Sequence, residues 1–420
     1  DELRHRPPPG ELTPERWWAG LKRARHSMAN PLPLRDQRNR PMMFTTPAPV
    51  LRMLHGIDRR ADGSVGAETP LVASEGRNRY LITSLIEESI ASSQLEGAAT
   101  TRKVAKAMLR SNRPPHGRSE RMVLNNYRAM QAIRALRDQA LTPDMILELH
   151  RIICADTLDD PAALGRLRKA TDRIHVVAAD SVTVLHQPPS AATLPRRLQR
   201  LCDFANQRRS EQAFVHPVIR AIALHFMLGY DHPFADGNGR TARALFYWSM
   251  ARSGYWLMEY ASISRLLRRA PAKYQRAYLH TETDGNDTTY FIIHQLKVIE
   301  RAIEALHQYI AHQSEEQRGV EELLQHSPRL AGRLNHRQTA LLGHALRHSG
   351  YGYTVESHRR SHRVTKQTAR TDLLSLAELN LLERSKRARA FWFHAPDDLR
   401  ARLEKPAARR ARTRRAPAKR

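Results

Sequence analysis

Apolar positions along this chain recur mostly at helical spacing. From about Asn78 onward, Tyr80, Ile82, Leu85, Ile86, Ile90 and Leu95 fall near one another on a 3.6-residue wheel, and Gly97 stops the pattern. A second helix is expected from about Thr101 to Leu109, a break at Pro114-Pro115, and helix again from Ser119 to Leu136. LTPDMILELHRIICADTL opens with a good start signal, Thr142 as cap and Pro143 in the first turn. Further helices are expected over Ala192 to Arg208, His216 to Gly229, Arg240 to Ser253, Ile263 to Thr283 and Thr288 to about Gln325. In the first 300 residues a strand pair is expected only in RIHVVAADSVTVLHQPP. There Ile174, Val176 and Val177 precede a polar Ala-Asp-Ser turn, and Val182, Val184 and Leu185 follow it. The pattern predicts a mainly α domain with one inserted hairpin.

The two ends read differently. Residues 1–70 are rich in Pro and Arg and are set apart as an N-terminal extension, with a short helix around Trp17-Trp18 and extended chain from Pro31 to Val50. The main domain is expected over 71–300, a linking helix over 301–333, and a small module over 334–396. In that module LNHRQTALLGHAL and the following segment read as three helices and then two strands. VTKQTARTDLLSLAELNLL resembles the recognition helix of a winged helix-turn-helix. Thr365 would cap it, Lys366, Gln367, Thr368, Arg370 and Thr371 would lie exposed, and Leu373, Leu374, Leu376 and Leu379 would face the core. Leu381-Leu382 would begin a wing strand that turns at Ser385-Lys386-Arg387 and returns through Phe391, Trp392 and Phe393.

Composition changes this picture in two places. The 420 residues carry a formal charge of +27, and eight basic residues with no acid lie in Lys405 to Arg420. That stretch lacks large apolar side chains, so 397–420 is expected to be a disordered basic tail. Such charge suits nucleic acid, while a GC-rich genome, in which Arg and Ala are simply abundant, would produce the same bias. Two cysteines, Cys154 and Cys202, suggest reduced core thiols in a cytoplasmic protein. No apolar run approaches the roughly 18 residues of a membrane span, and the start at Asp1 shows no secretory pattern.

The candidate chemistry lies in DHPFADGNGRTARALFYW. A helix ends, a Gly/Asn turn follows, and a second helix begins near Gly239. N–H groups of such a turn favour an anion. Arg240 and Arg243, three apart, emerge on one face of the first turn. Asp236 is an oxygen ligand of the type Mg²⁺ takes when it bridges phosphates, and His232 is placed to take a proton. By themselves these residues describe a phosphate site with a nearby base.

HPFADGNGRTAR, His232 to Arg243, also fits the Fic signature H-x-F-x-[DE]-G-N-G-R-x-x-R at every specified position. The resemblance implies a Fic-type helical domain with a β-hairpin flap, and protein adenylyltransferase activity that moves AMP from ATP to a Tyr, Thr or Ser hydroxyl. It implies His232 as general base and Phe234 as an inward-packed anchor of the loop. Asp236 would be the Mg²⁺ ligand, and Gly237, Asn238 and Gly239 the anion hole, with the Asn238 side chain also on the α-phosphate. Arg240 and Arg243 would hold the β- and γ-phosphates. Ile174, Val176 and Val184 would belong to the flap that lays a target segment alongside by strand addition. The family sets adenine against the helix after the catalytic run, which makes Ser262, Ser264, Tyr274 and Tyr278 candidates.

ASSQLEGAA fits the family's inhibitory motif [ST]-x-x-x-E-[GN] with Ser92, Glu96 and Gly97. Ser92 and Glu96, four apart on a helix, share a face, and the glutamate would compete for Arg243. The expected protein is therefore a restrained adenylyltransferase, with removal of AMP as the reverse reaction in some relatives. For the C-terminal module the reading is DNA contact through Lys366, Gln367 and Arg370. Dimerisation or target docking is the alternative there. A second function class is a DNA-binding regulator whose Fic core senses nucleotide; phosphocholine or UMP transfer is a third.

Overall fold

The computed structural model describes residues 2–61, 74–177, 183–207, 214–326, 334–347, 350–362, 364–387 and 390–404. The chain divides into two compact units, Asp1–His307 and Gln308–Arg420. Among the described residues no helix is long and apolar enough to cross a membrane.

The first unit opens with α1 (Pro14–Ser27), capped by Thr13. No residue of α1 is buried; Lys22 and Arg25 tie it to Asp284 and Asp287 instead. A hairpin of β1 (Asn30–Arg35) and β2 (Pro41–Phe44) follows, then α2 (Ala48–Ala61). The expectation of extended chain from Pro31 to Val50, and of only one strand pair before residue 300, is corrected here. Pro31 and Pro33 disguise β1 in the sequence, yet a two-stranded ribbon has only edge strands, which tolerate proline. Leu32, Leu34, Met42 and Phe44 are buried, and α2 buries Val50, Met53, Leu54 and Ile57. The described part of the N-terminal segment thus shares a compact unit with the catalytic run rather than standing apart from it.

Next come α3 (Ser74–Leu95), α4 (Arg102–Ser111), α5 (Gly117–Leu136) and α6 (Pro143–Cys154). Thr101 and Thr142 accept from the backbone N–H groups of Val104 and Met145, as N-caps do. The short hairpin of β3 (Val176–Val177) and β4 (Val184–His186) pairs Val176 with His186. Residues 178–182, including Val182 and the expected turn, lie outside the described residues.

After α7 (Leu194–Asn206), α8 (Pro217–Asp231) and α9 (Asn238–Arg252) form the centre of the unit. Both helices are buried nearly all round, which is the signature of core helices rather than surface ones. The expected single helix over 263–283 is two, α10 (Ile263–Arg269) and α11 (Pro271–Thr283). Pro271 cannot continue the first and instead opens the second. Then α12 (Thr289–His326) runs from the first unit into the second.

The second unit contains α13 (His336–Arg347), β5 (Gly352–Tyr353), α14 (Val355–His362), α15 (Lys366–Glu378), β6 (Glu383–Arg387), β7 (Ala390–His394) and α16 (Leu399–Glu404). Its sheet has the order β5-β7-β6, over a core of Leu341, Leu342, Leu373, Leu376, Leu381, Leu382 and Phe393. Three expectations change. The strand β5 was not foreseen. Ser385, Lys386 and Arg387 lie within β6, opposite Trp392, Phe391 and Ala390, rather than in a turn. Finally, 397–404 is not tail, because Leu399 and Leu403 of α16 are buried in the core. Residues 405–420 lie outside the described residues.

Candidate active site

The last carbonyls of a helix lack intrahelical donors, and the end of α8 shows what fills them here. The Leu228 carbonyl accepts from the backbone N–H of His232, whose φ of 45° turns the chain out of the helix. The Gly229 carbonyl lies 3.2 Å from His232 Nδ1, which assigns the proton to that nitrogen and leaves the Nε2 lone pair free. His186 Nε2 donates to the Tyr230 carbonyl at 2.7 Å. Arg168 donates from Nε to the His232 carbonyl at 2.8 Å, from Nη2 to Asp231 and Pro189, and from its backbone N–H to Pro233. The Arg168 guanidinium and the His186 N–H thus sit at the negative end of the helix dipole, where they stabilise it. Burial lowers His232 to about 4, helped by the positive charges of His186 and Arg168 and opposed by the Gly229 bond and by Glu96. The imidazole is neutral at physiological pH, in the form a base needs.

The turn from Pro233 to Gly239 is held from inside. The Asn238 side chain spans it, accepting from Phe234 N–H and donating to the Phe234 carbonyl, both at 2.9 Å. The Asn238 side chain, expected on the α-phosphate, is engaged within the turn here. Phe234, fully buried, stacks on His150 with ring centroids 3.9 Å apart. His150 accepts from Gly165 N–H at Nδ1 and so donates from Nε2 to the Asp236 carbonyl at 3.0 Å. Gly237 has φ 82°, and a Cβ there would overlap the Cys154 sulfur. Only glycine fits both conditions. Burial raises Cys154 to about 12, so it is an inert packing thiol.

Asp236 presents its carboxylate at the rim, accepting from Gly237 N–H at 2.6 Å and from Arg240 at 3.3 Å. Arg240 is buried and also donates to the Ile153 carbonyl. Arg243, one turn further along α9, is 2% exposed and is taken up by α3. Its Nε donates to Ser92 Oγ at 2.9 Å, and its Nη2 to the Ser92 carbonyl at 3.0 Å and Glu96 Oε1 at 2.9 Å. A Cβ on Gly239 would overlap the Glu96 carboxylate, which therefore lies directly against the glycine turn. Burial works against the Arg243 charge, but Glu96 outweighs it and the arginine is held more firmly protonated.

Gly97, with φ 87°, ends α3 as expected. The face of that helix differs from the expected apolar one. Leu85, Ile86 and Ile90 are buried and Ile82 is exposed, while Ser84, Glu88, Ser89, Ser92 and Ser93 are buried with the core. Glu88 clamps α3 to the start of α10: it accepts from Ser262 Oγ at 2.8 Å, from Ser264 N–H at 3.1 Å and from Ser264 Oγ.

The flap residues Val176 and Val184 lie in β3 and β4, and Ile174 just before β3. Val184 is 53% exposed. The adenine candidates have partners within the protein. Ser262 and Ser264 serve Glu88, Tyr274 bonds His225 at 2.7 Å, and Tyr278 stacks on Phe226. Nothing in the sequence pattern marks His150, Arg168, His186 or Glu88 as site-building residues. In the second unit, Thr365 caps α15 by accepting from Thr368 N–H. Lys366, Gln367 and Arg370 are exposed.

Residues 140–250 match the model of the Fic/DOC family. A protein adenylyltransferase Fic of Drosophila willistoni is 32% identical over 166 residues, which is 38% of this chain and 31% of that protein. One of Nematostella vectensis is 28% identical over 170 residues, 39% of this chain and 37% of that protein. The chain thus spans about a third of the length of these curated relatives. The fold resembles that of a Fic family protein from Desulfovibrio desulfuricans G20, with a TM-score of 0.56 at 18% identity, covering 84% of this chain and 97% of that one. It also resembles a Fic domain containing signaling protein from Bacteroides thetaiotaomicron, with a TM-score of 0.50 at 20% identity, covering 62% and 98%.

Proposed function

We propose that this chain, whose residues 140–250 match the model of the Fic/DOC family, transfers AMP from ATP to a protein hydroxyl and that Glu96 restrains the transfer. The observation that carries this reading is the neutral His232, its Nδ1 committed to Gly229 and its Nε2 free, at the rim of a glycine turn that opens α9. His232 Nε2 takes the proton of a Tyr, Thr or Ser hydroxyl. The oxygen attacks the α-phosphorus of ATP, the bond from that phosphorus to the bridging oxygen breaks, and pyrophosphate leaves. The backbone N–H groups of Gly237 to Gly239 and the start of α9 receive the phosphate charge. Arg240 and Arg243 are assigned to the β- and γ-phosphates.

The Asp236 carboxylate fits Mg²⁺: it is a hard oxygen donor at the rim, and its 44% side-chain exposure leaves room for a shared cation. Among the described residues no set of three or more His, Cys, Asp or Glu side chains is arranged as a metal site. One carboxylate plus substrate phosphates is the usual Mg²⁺ pattern. When bound, the ion would neutralise phosphate charge and orient the triphosphate.

The restraint rests on Arg243. Its three donated bonds to Ser92 and Glu96 occupy the guanidinium that the γ-phosphate needs. We expect Glu96→Gly to raise incorporation of label from ATP into the chain at least tenfold, and Glu96→Gly with His232→Ala to abolish it. An unchanged rate in the single variant would overturn the restraint, and absence of transfer in every variant would overturn the activity. Mass spectrometry of lysate incubated with ATP and the Glu96→Gly chain would identify the acceptor.

For the second unit, a winged helix that contacts DNA is the reading the element order supports. Asp372 is the hub beneath α15, accepting from Arg337 and Asn335 on one side and His358 on the other. It orders α13, α14 and α15 while the exposed Lys366, Gln367 and Arg370 make no hydrogen bond or ion pair among the described residues. Binding of a labelled duplex that weakens steeply with salt is the expected result. If ATP releases the duplex and no AMP transfer accompanies it, a nucleotide-sensing regulator is the correct description.

A further inference from the structure

His186, the last residue of β4, has no part in the chemistry above, yet it is buried at the junction of three elements. Its backbone pairs with Val176 across the hairpin. Its Nε2 lies 2.7 Å from the Tyr230 carbonyl, two residues before His232, and its Nδ1 lies 2.6 Å from Glu282 Oε2 on α11. The ring tilts against that of Tyr230, with centroids 4.7 Å apart. Both partners are acceptors, so both bonds are donated only when the ring carries both protons. The strand β4 is thereby fastened to the end of α8, whose next turn presents the base.

We propose that His186 is a positioning residue that fixes the flap strand at a set height beside the catalytic turn and so registers an acceptor hydroxyl against His232. A chain laid along the hairpin takes its register from the strand it pairs with, and a slip of one residue turns every side chain to the opposite face. This side-chain anchor at the end of β4 would then decide which acceptor residue meets the base. The inference rests on the adenylyl-transfer reading.

The charges around His186 also couple it to the base. Glu282 faces it from α11, Tyr230 and Asp231 from α8, and His232 from the turn; Glu96 of α3 and Arg168 act on the same His232. His186 is one of the influences that lower His232, so removing its ring moves the acid limb of the rate profile to higher pH.

The test uses the full-length Glu96→Gly chain as enzyme and the His232→Ala chain, added in excess, as acceptor. His186→Ala should raise KM for the acceptor chain at least tenfold and leave KM for ATP within twofold. His186→Gln, which keeps one donor for Tyr230, should recover most of the acceptor affinity yet retain the shifted acid limb. Equal changes in both KM values, or a lowered melting temperature with no KM split, would make His186 a packing residue and overturn the proposal. If the Glu96→Gly enzyme with His186 intact transfers nothing, the adenylyl-transfer reading fails first and this inference falls with it.

Discussion

Residue by residue, the site depends on groups whose protons and backbone angles are fixed by burial. His232 at about 4 is neutral over the whole physiological range. The sign is that of a lowered base: transfer should hold steady from pH 8 down toward 5 and be lost as pH falls through about 4, and at lower pH still in the Glu96→Gly chain, because Glu96 is one of the influences that raise His232. A histidine at its ordinary value would already fail near 6.5. A stopped-time pH profile with labelled ATP checks this. Gly237→Ala combines a left-handed backbone with overlap on Cys154. The first costs about 1–2 kcal/mol and the second about 1–3 kcal/mol, and denaturant unfolding should show their sum with little relief. The run His232 to Arg243 was legible in the sequence because its chemistry is carried by residues adjacent in the chain. His150 and Arg168 were not, because each acts on a backbone carbonyl more than 60 residues away. On α6, His150 looks like any residue of an apolar helix face, and nothing in its neighbours announces the turn it supports.

At the scale of elements, α3 is a carrier held at one end and gripping at the other. Glu88 fastens it to α10, and Ser92 and Glu96 fasten onto Arg243 two turns later. Glu88→Ala should cost about 1–3 kcal/mol, because Ser264 N–H and two hydroxyls lose their acceptor. The same substitution should raise transfer above that of the unaltered chain, since a loosened carrier presents Glu96 less often. A stability loss measured by thermal unfolding, together with a gain in label incorporation, is the expected pair of results; a loss of both would count against the carrier role. The periodicity of α3 showed where the helix lies but misjudged its buried face. Hydrophobic spacing cannot reveal a stripe of Ser and Glu that is buried because its partners come from elsewhere in the fold. The hairpin β1–β2 was missed for the related reason that proline counts against strands unless the strand is known to be an edge.

For the whole molecule, buried neutral histidines govern the acid side of stability. Burial lowers His150 and His232 to about 4, and His225 also lies well below its ordinary value. Each favours folding fully above its unfolded value near 6.5, and that contribution is lost as pH falls below it, toward about 4 for His150 and His232, at about 1.4 kcal/mol per pH unit for each histidine. Melting temperatures recorded from pH 7 to pH 4 should therefore fall steeply, well before ordinary carboxylates protonate. In the second unit, burial opposes the charge of Asp372, but the bonds from Arg337, Asn335 and His358 prevail and bring it to about 2. Its contribution survives until pH drops below the normal carboxylate range. The division into helical body and C-terminal module was readable from composition and periodicity. The inclusion of residues 30–61 in the first unit was not, because their apolar side chains are few and are spread over three short elements.

The two thiols of the chain, Cys154 and Cys202, are both sealed in the core, and burial pushes each up to about 12. They are therefore silent toward maleimides while the protein is folded. A single cysteine placed at the half-exposed Val184 would be the one reactive handle on the molecule. A fluorophore attached there would turn the flap into an optical gauge, reporting in real time when an acceptor chain settles on the strand.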